Sequence, residues 1–339
     1  GSERVPSYID VLIMTATTDE LTEREQFVLD QFIMEGGRIF FMAAPIIPPV
    51  SAGGYWAPYQ KAHNSWYNFI NRYGFKVEPD FVAFDKRGFE MQVDEETKEM
   101  LTCVVKIKGD SLTEHPICAG ISENYLVYNV IMDENFATIS KDTVFEPIFR
   151  SSKDSWKVEV TSDVLQSPFG FDPRRRNKQL WDLMQKPPTD MQSFILAASI
   201  SGSFDSEYRQ GETPQLVDDK GSPQTAPVFL DKWKNELVLR KSKETRIVVL
   251  GNALSYLWWS GAWQNSKMLL NIISYLAFSS DFLKLEKKTT NIRPLEQIKK
   301  EEKTLIRFLG IAATPLLLII LGFFLLVYRI QSKYYDQAV

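Results

Sequence analysis

The feature that most limits this chain is the run from Phe308 to Tyr328, which holds 21 residues and no charge. As a helix rising 1.5 Å per residue it would reach about 31 Å, the thickness of a bilayer's hydrocarbon core. Arg307 and Arg329 bracket the run, and Tyr328, Tyr334 and Tyr335 stand where amphipathic rings favour the headgroup level. A buried helix of a water-soluble domain seldom runs so far without a charge, so a transmembrane helix is expected over 307–329, followed by a tail over 330–339. Gly310 and Pro315 are compatible with it, because neighbouring helices re-satisfy freed backbone groups in lipid. Arg293, Lys299, Lys300, Lys303 and Arg307 precede the span, whereas only Arg329 and Lys333 follow it. Long domains cross largely regardless of such counts, so the residues alone leave the side open.

The roughly 300 residues ahead of the run are enough for a sizeable core. A hydrophobic fraction of 44%, a charged fraction of 24% and a net charge of −4 describe an ordinary globular surface. They lack the basic excess that nucleic-acid binding requires. Two cysteines, Cys103 and Cys118, make neither a disulfide framework nor a zinc site, and with only His63 and His115 beside them no cluster has metal-ligand spacing. One bridge between the cysteines stays open for an extracytoplasmic domain, and no cofactor is expected.

The first 45 residues predict a βαβ unit. "IDVLIMTA" (Ile9–Ala16) is the continuous apolar run of a strand buried on both faces. "TERE" (Thr22–Glu25) fits a capping box that opens a helix. Val28, Leu29, Phe32 and Ile33 form its stripe, and Gly36–Gly37 supplies the left-handed stop. "RIFFMAAP" (Arg38–Pro45) is the second strand, and its crossover should be right-handed. Beyond a Pro- and Gly-rich loop, "NSWYNFINRYGFKV" predicts a helix with Trp66, Phe69, Ile70 and Tyr73 on one side, and "DFVAFD" a strand. Short β-like runs from Met91 to Ile139 suggest an antiparallel or edge portion, while "FEPIFRSS", "SFILAASI" and "TRIVVLGN" look like further core strands. Between Gly202 and Glu244 the chain turns polar, an exposed insertion. A closing helix should bury Met268, Leu269, Ile272, Ile273 and Leu276; Trp258, Trp259 and Trp263 read as core aromatics ahead of a docking patch. The expected fold is α/β, a largely parallel sheet flanked by helices, in a domain over 1–285 joined by a juxtamembrane segment over 286–306 to the span.

Catalytic parts are scarce. A doubly wound sheet places ligands beyond the carboxyl ends of its strands, which makes Thr15, Pro45 and Asn252 the candidate ligand-binding residues. No G-x-S-x-G or G-x-C-x-G elbow holds a nucleophile there, and no phosphate-binding glycine loop follows the first strand. Cys118 in "HPICAGI" stands near His115, but proximity in sequence does not make a nucleophile and base. "DPRRRNK" (Asp172–Lys178) and the acidic pairs Asp133–Glu134, Asp218–Asp219 and Glu301–Glu302 are better read as solvated surface. Tyr55, Trp56 and Tyr59, in the loop after the second strand, would suit stacking on sugar rings and keep a membrane-anchored carbohydrate or cell-envelope binding module as the alternative.

Taken in order, "YIDVLIMTATTDELTEREQFVLDQFIMEGGRIFFMAAP", "YNFINRYGFKVEPDFVAFD", "EHPICAGI", "FILAASISGSF", "TRIVVLGNALSY", "NIISYLAF" and "RPLEQIKKEEK" resemble the GldG-like auxiliary components of gliding-motility-type ABC transport systems, over nearly the whole chain. The resemblance implies a fold related to class I glutamine amidotransferases without the catalytic cysteine, and hence a non-enzymatic subunit. It further implies an extracytoplasmic domain, a bacterial inner-membrane location, and a partner permease and separate ATPase chain. Family members carry an N-terminal span and a further extracytoplasmic segment, so the resemblance also implies that this chain is a C-terminal portion of a longer protein.

Overall fold

Helix α1 (Glu23–Met34) begins at the expected cap: the Thr22 side chain accepts from the Glu25 amide, and the Glu25 carboxylate accepts from the Thr22 amide at 3.0 Å. Two orphan donors of the first turn are thereby satisfied. The helix stops at Gly36, whose φ of +98° a residue with a Cβ resists. On either side lie β1 (Val11–Thr15) and β2 (Arg38–Met42), paired in parallel from Val11↔Arg38 to Thr15↔Met42, so the opening unit is βαβ. The computed structural model describes residues 4–47, 59–92, 98–162, 188–215, 236–253, 262–278, 307 and 315–329. The chain divides into two units, Gly1–Thr290 and Asn291–Val339.

After α2 (Asn64–Asn71) come β3 (Phe75–Asp85), β4 (Phe89–Gln92), β5 (Lys98–Leu101), β6 (Val104–Lys108), β7 (Glu123–Val127), β8 (Val130–Glu134), β9 (Thr143–Arg150), β10 (Ser155–Glu159), β11 (Ile195–Gly202), β12 (Thr245–Leu250) and α3 (Ala262–Ala277). The main sheet runs β1-β2-β12-β11-β8-β3-β10, with β9 also on β11, and β4–β5 and β6–β7 form two separate ribbons. Among the described residues, only the β1–β2 and β2–β12 pairs are parallel; β11, β8, β9, β3 and β10 all pair antiparallel. The expectation of a largely parallel sheet is therefore corrected: the fold is mixed α/β with a large, mostly antiparallel sheet and few helices.

The misleading signal was burial. In β2, Ile39 and Phe41 enter the core under α1 and α2, whereas Phe40, on the other face, joins the core under α3. The antiparallel β11 is buried along Ile195–Ile200 because both faces of the sheet are covered. A continuous apolar run reports cover on two faces and carries no information about strand direction. Among the described side chains of α3, the buried apolar ones are Met268, Ile272, Tyr275 and Leu276, close to the expected stripe, and Asn271 is buried beside them. A third core, around Phe84, Tyr128 and Trp156, lies where β3 and β10 meet β6 and β7.

In the second unit, residues 315–329 are helical, and Leu316 through Leu326 are exposed wherever a large apolar side chain occurs. No helix among the described residues is long and apolar enough to cross a membrane. The first part of the expected span, 308–314, and the tail from 330 lie outside the described residues. So do Trp258 and Trp259, the "DPRRRNK" run and the whole juxtamembrane segment over 286–306.

Candidate functional site

The three residues proposed at the strand ends follow neighbouring parallel strands. Met42 is the register partner of both Thr15 and Leu250, so the carboxyl ends of β1, β2 and β12 lie side by side. Backbone hydrogen bonds stitch this edge together: Ala16 N–H to Met42 O at 3.1 Å, Ala43 N–H to Leu250 O at 2.9 Å and Ala253 N–H to Ala43 O at 2.8 Å. Thr15 is exposed, whereas Pro45 is buried. Asn252 is fully buried, and its Nδ2 donates to the carbonyls of Val127 (2.6 Å) and Tyr128 (3.0 Å). Its amide thus holds the turn between β7 and β8, where Tyr128 takes φ +45°, a left-handed conformation uncommon outside glycine. Of the loop aromatics, Tyr55 and Trp56 lie outside the described residues, and Tyr59 packs half-buried against the third core.

Both histidines are caps. His63 Nδ1 accepts from the Ser65 amide at the start of α2, and His115 Nδ1 accepts from the Ile117 amide at 3.2 Å. His115 Nε2 lies 2.9 Å from Ser199 Oγ, in the middle of β11 and fully buried. The pair has the spacing of a base and a nucleophile but the opposite polarity. With Nδ1 accepting from a backbone amide, a neutral imidazole carries its proton on Nε2 and donates to Ser199, so it cannot take the serine proton. Burial, with the Arg246 charge adding to it, lowers His115 to about 4, which keeps the ring neutral. No local pattern announces this contact, because 84 positions separate the partners.

Cys103 and Cys118 are both thiols outside any disulfide. Burial pushes Cys103 up to about 12, far from a nucleophilic thiolate. Cys118 lies in the turn after His115 and donates to Ile148 O at 3.3 Å. Among the described residues, no group of three His, Cys, Asp or Glu converges to hold a metal.

The densest polar constellation lies elsewhere, on the outer face of α1. Asp30 is only 2% exposed, and its carboxylate accepts from Tyr73 Oη (2.8 Å), Ser206 Oγ (2.6 Å) and Gln31 Nε2 (2.9 Å). Gln31 clamps the backbone of Leu239, accepting from its amide at 2.7 Å and donating to its carbonyl at 3.1 Å. In the first turn of the helix, the buried Arg24 grips both oxygens of Glu236, at 2.6 and 3.1 Å. Burial raises Glu236, but the hydrogen bonds from Arg24 and Arg4 outweigh it and hold the carboxyl below the usual range. Along the two described arms of the expected polar insertion, burial alternates: Phe204, Ser206, Thr213, Val238 and Ser242 are buried, whereas Asp205, Glu207, Leu237, Arg240 and Lys241 are exposed. A signal for this was present in the sequence, since Arg24, Val28 and Gln31 share one helix face. Residues 216–235, between the arms, lie outside the described residues.

No curated protein matches the chain. Among solved structures, the mmIFT52 N-terminal domain is similar at 10% identity, over 80% of this chain and 78% of that chain, with a TM-score of 0.38. A family model described as "ABC-type uncharacterized transport system" (ABC_transp_aux) matches residues 1–254, most of the first unit. The chain thus belongs to this family of auxiliary components of ABC-type transport systems.

Proposed function

We propose that the chain is a non-catalytic, membrane-anchored auxiliary subunit of a bacterial ABC transporter of the GldG-like kind. Its α/β domain stands outside the cytoplasm, binds a partner or ligand there, and couples to a permease driven by a separate ATPase chain. The carrying observation is the family match over residues 1–254, which places the domain in a transport system. The chemistry of the fold supports a non-catalytic role. His115 donates to Ser199 instead of deprotonating it, Cys103 is buried as a thiol, and Asn252 is committed to a backbone turn. The exposed apolar helix over 315–329 supports anchoring, because such a surface is stable only when lipid or another apolar partner covers it.

Copurification tests the assembly. A tagged chain extracted in mild detergent is expected to bring down a multispanning permease and an ATPase in fixed proportion. Recovery of the chain alone across a series of mild detergents would overturn it.

A further inference from the structure

At one end of the main sheet, β1 has a neighbour on one side only. Arg38 N–H donates to Asp10 O at 3.0 Å and Ala16 N–H to Met42 O at 3.1 Å, so the even-numbered residues turn their backbone groups toward β2. The N–H and C=O groups of Val11, Ile13 and Thr15 therefore point away from the sheet, and none has a partner among the described residues. A free edge of this kind is normally blunted by Lys, Pro or a bulge. The opposite end of the sheet obeys that rule, since β10 carries Lys157 at its centre and Glu159 at its end, both exposed. β1 does not: it is VLIMT, in unbroken register with β2, and its central Ile13 is 48% exposed.

Apolar groups line both faces of this edge. Ile13 is the register partner of Phe40 and so lies on the α3 face, where Val11 packs into the core. Asn271 and Tyr275 turn one side of α3 toward the Ile117 and Ala119 carbonyls and His115, over β11. Ile273, on the opposite side of the helix and nearer β1, is half-buried. On the other face, Leu12 and Met14 belong to the core under α1. The charges around the edge have one sign. No Lys or Arg occurs between Arg4 and Arg24, whereas Asp10 before β1 and Asp19 and Glu20 beyond it are exposed.

We propose that the outer edge of β1 docks an extended segment of a partner subunit as an added strand, with apolar residues along its middle and Lys or Arg at both ends. The unpaired backbone groups give the strand its hydrogen bonds, Ile13 and Ile273 its apolar contact, and the acidic ends its charge preference. A second copy of the chain fits worse. Antiparallel pairing about Ile13 turns Asp10 of each copy toward Asp19 and Glu20 of the other, and parallel pairing sets Asp10 beside Asp10. That the segment belongs to a transporter subunit rests on the function proposed above.

The probe is a labelled peptide, Lys-Lys-(Val-Thr)3-Val-Lys-Lys, titrated against the full chain in detergent. It is expected to bind, more weakly as salt rises, and about tenfold more tightly than the same peptide flanked by glutamates. Hydrogen exchange read at residue resolution should show Val11, Ile13 and Thr15 slowing on binding, with Leu12 and Met14 unchanged. Ile13→Pro removes a donor that points away from β2, so it should block the probe and leave the β1–β2 ladder in place. Asp10→Lys keeps every backbone donor and should weaken the lysine-flanked peptide while strengthening the glutamate-flanked one. In the copurified complex the same three amides should be protected without any peptide. The proposal is overturned if both peptides bind alike, if protection appears elsewhere, if Ile13→Pro and Asp10→Lys bind as the wild type does, or if the three amides are already protected in the isolated chain, which would place a second copy or the chain itself on the edge. Probe binding without recovery of a permease and an ATPase would leave the docking edge standing and the assembly not; recovery without probe binding would do the reverse.

Discussion

Replacing Gly202 with alanine is expected to cost about 3–5 kcal/mol of stability, because a close approach and a forbidden backbone angle coincide at one position. Gly202 ends β11 with φ at +137°, where L residues are strained. An added Cβ would sit 2.1 Å from the Asp142 carbonyl oxygen and 2.8 Å from Thr143 Cα, both backbone atoms. Thr143 is the register partner of Gly202, and Ser203 N–H donates to that same Asp142 carbonyl at 3.3 Å, so β9 cannot retreat without breaking its pairing with β11. Gly211→Ala separates the two causes. Gly211 also has a positive φ, +85°, but nothing lies within 4 Å of its added Cβ. It should therefore lose only about 1–2 kcal/mol for backbone conformation. Urea denaturation of both variants reads the difference, and equal losses would mean that the approach of β9 to β11 contributes nothing.

Strand positions were legible, and so were the directions of the parallel β1–β2 unit and of the antiparallel pairs between Met91 and Ile139, but those of β9 and β11 were not. The apolar runs at Ile9–Ala16, Arg38–Pro45, Ser193–Ile200 and Thr245–Asn252 all supply strands of the main sheet, and the Thr22 cap and the Gly36 stop bound α1 as their chemistry requires. Periodicity and run length, however, report which faces are buried. β11 resembles a parallel strand because helices and a ribbon cover it, although both of its main neighbours run against it. Within the β-like stretch from Met91 to Ile139, "NYLVYNVIM" spans two strands. Tyr128, at φ +45°, turns the chain from the β6–β7 ribbon into β8 of the main sheet, a backbone event that no side-chain pattern announces.

The polar constellations were harder still, because each is assembled across long sequence separations. Asp30 meets Tyr73 and Ser206 over 43 and 176 positions, and Arg24 meets Glu236 over 212. The helix carrying Asp30 and Gln31 could be located from its cap and stripe. That its polar face would be covered by two arms of a polar stretch could not, since the cover is held by hydrogen bonds and not by an apolar run. The strand-end residues show the converse. Thr15, Pro45 and Asn252 do follow adjacent parallel strands, but Asn252 spends its amide on the carbonyls of Val127 and Tyr128.

Acidification from pH 7 to pH 4 is expected to remove about 3 kcal/mol of stability through His115, since each unit of difference between the folded and unfolded pKa is worth about 1.4 kcal/mol. His115 stands at about 4 in the folded chain against the model value of 6.5. The unfolded state therefore binds the extra proton between those limits, and stability rises with pH across that window and is fully present above it. A proton on the folded ring must go to Nδ1, which breaks the cap on Ile117, and it creates a buried cation beside Arg246. Glu146 lies 3.9 Å from Nε2 but is 47% exposed, so solvent screens most of what it could return. His115→Asn keeps an acceptor near the Nδ1 position and has nothing to titrate. It should be less stable than the wild type at pH 7, yet lose about 3 kcal/mol less between pH 7 and pH 4. Asp30 works in the opposite direction, gaining on acidification, and is common to both proteins, so it cancels in the comparison. Urea titrations at half-unit steps would give the two slopes, and parallel slopes would show that His115 takes up its proton as readily folded as unfolded.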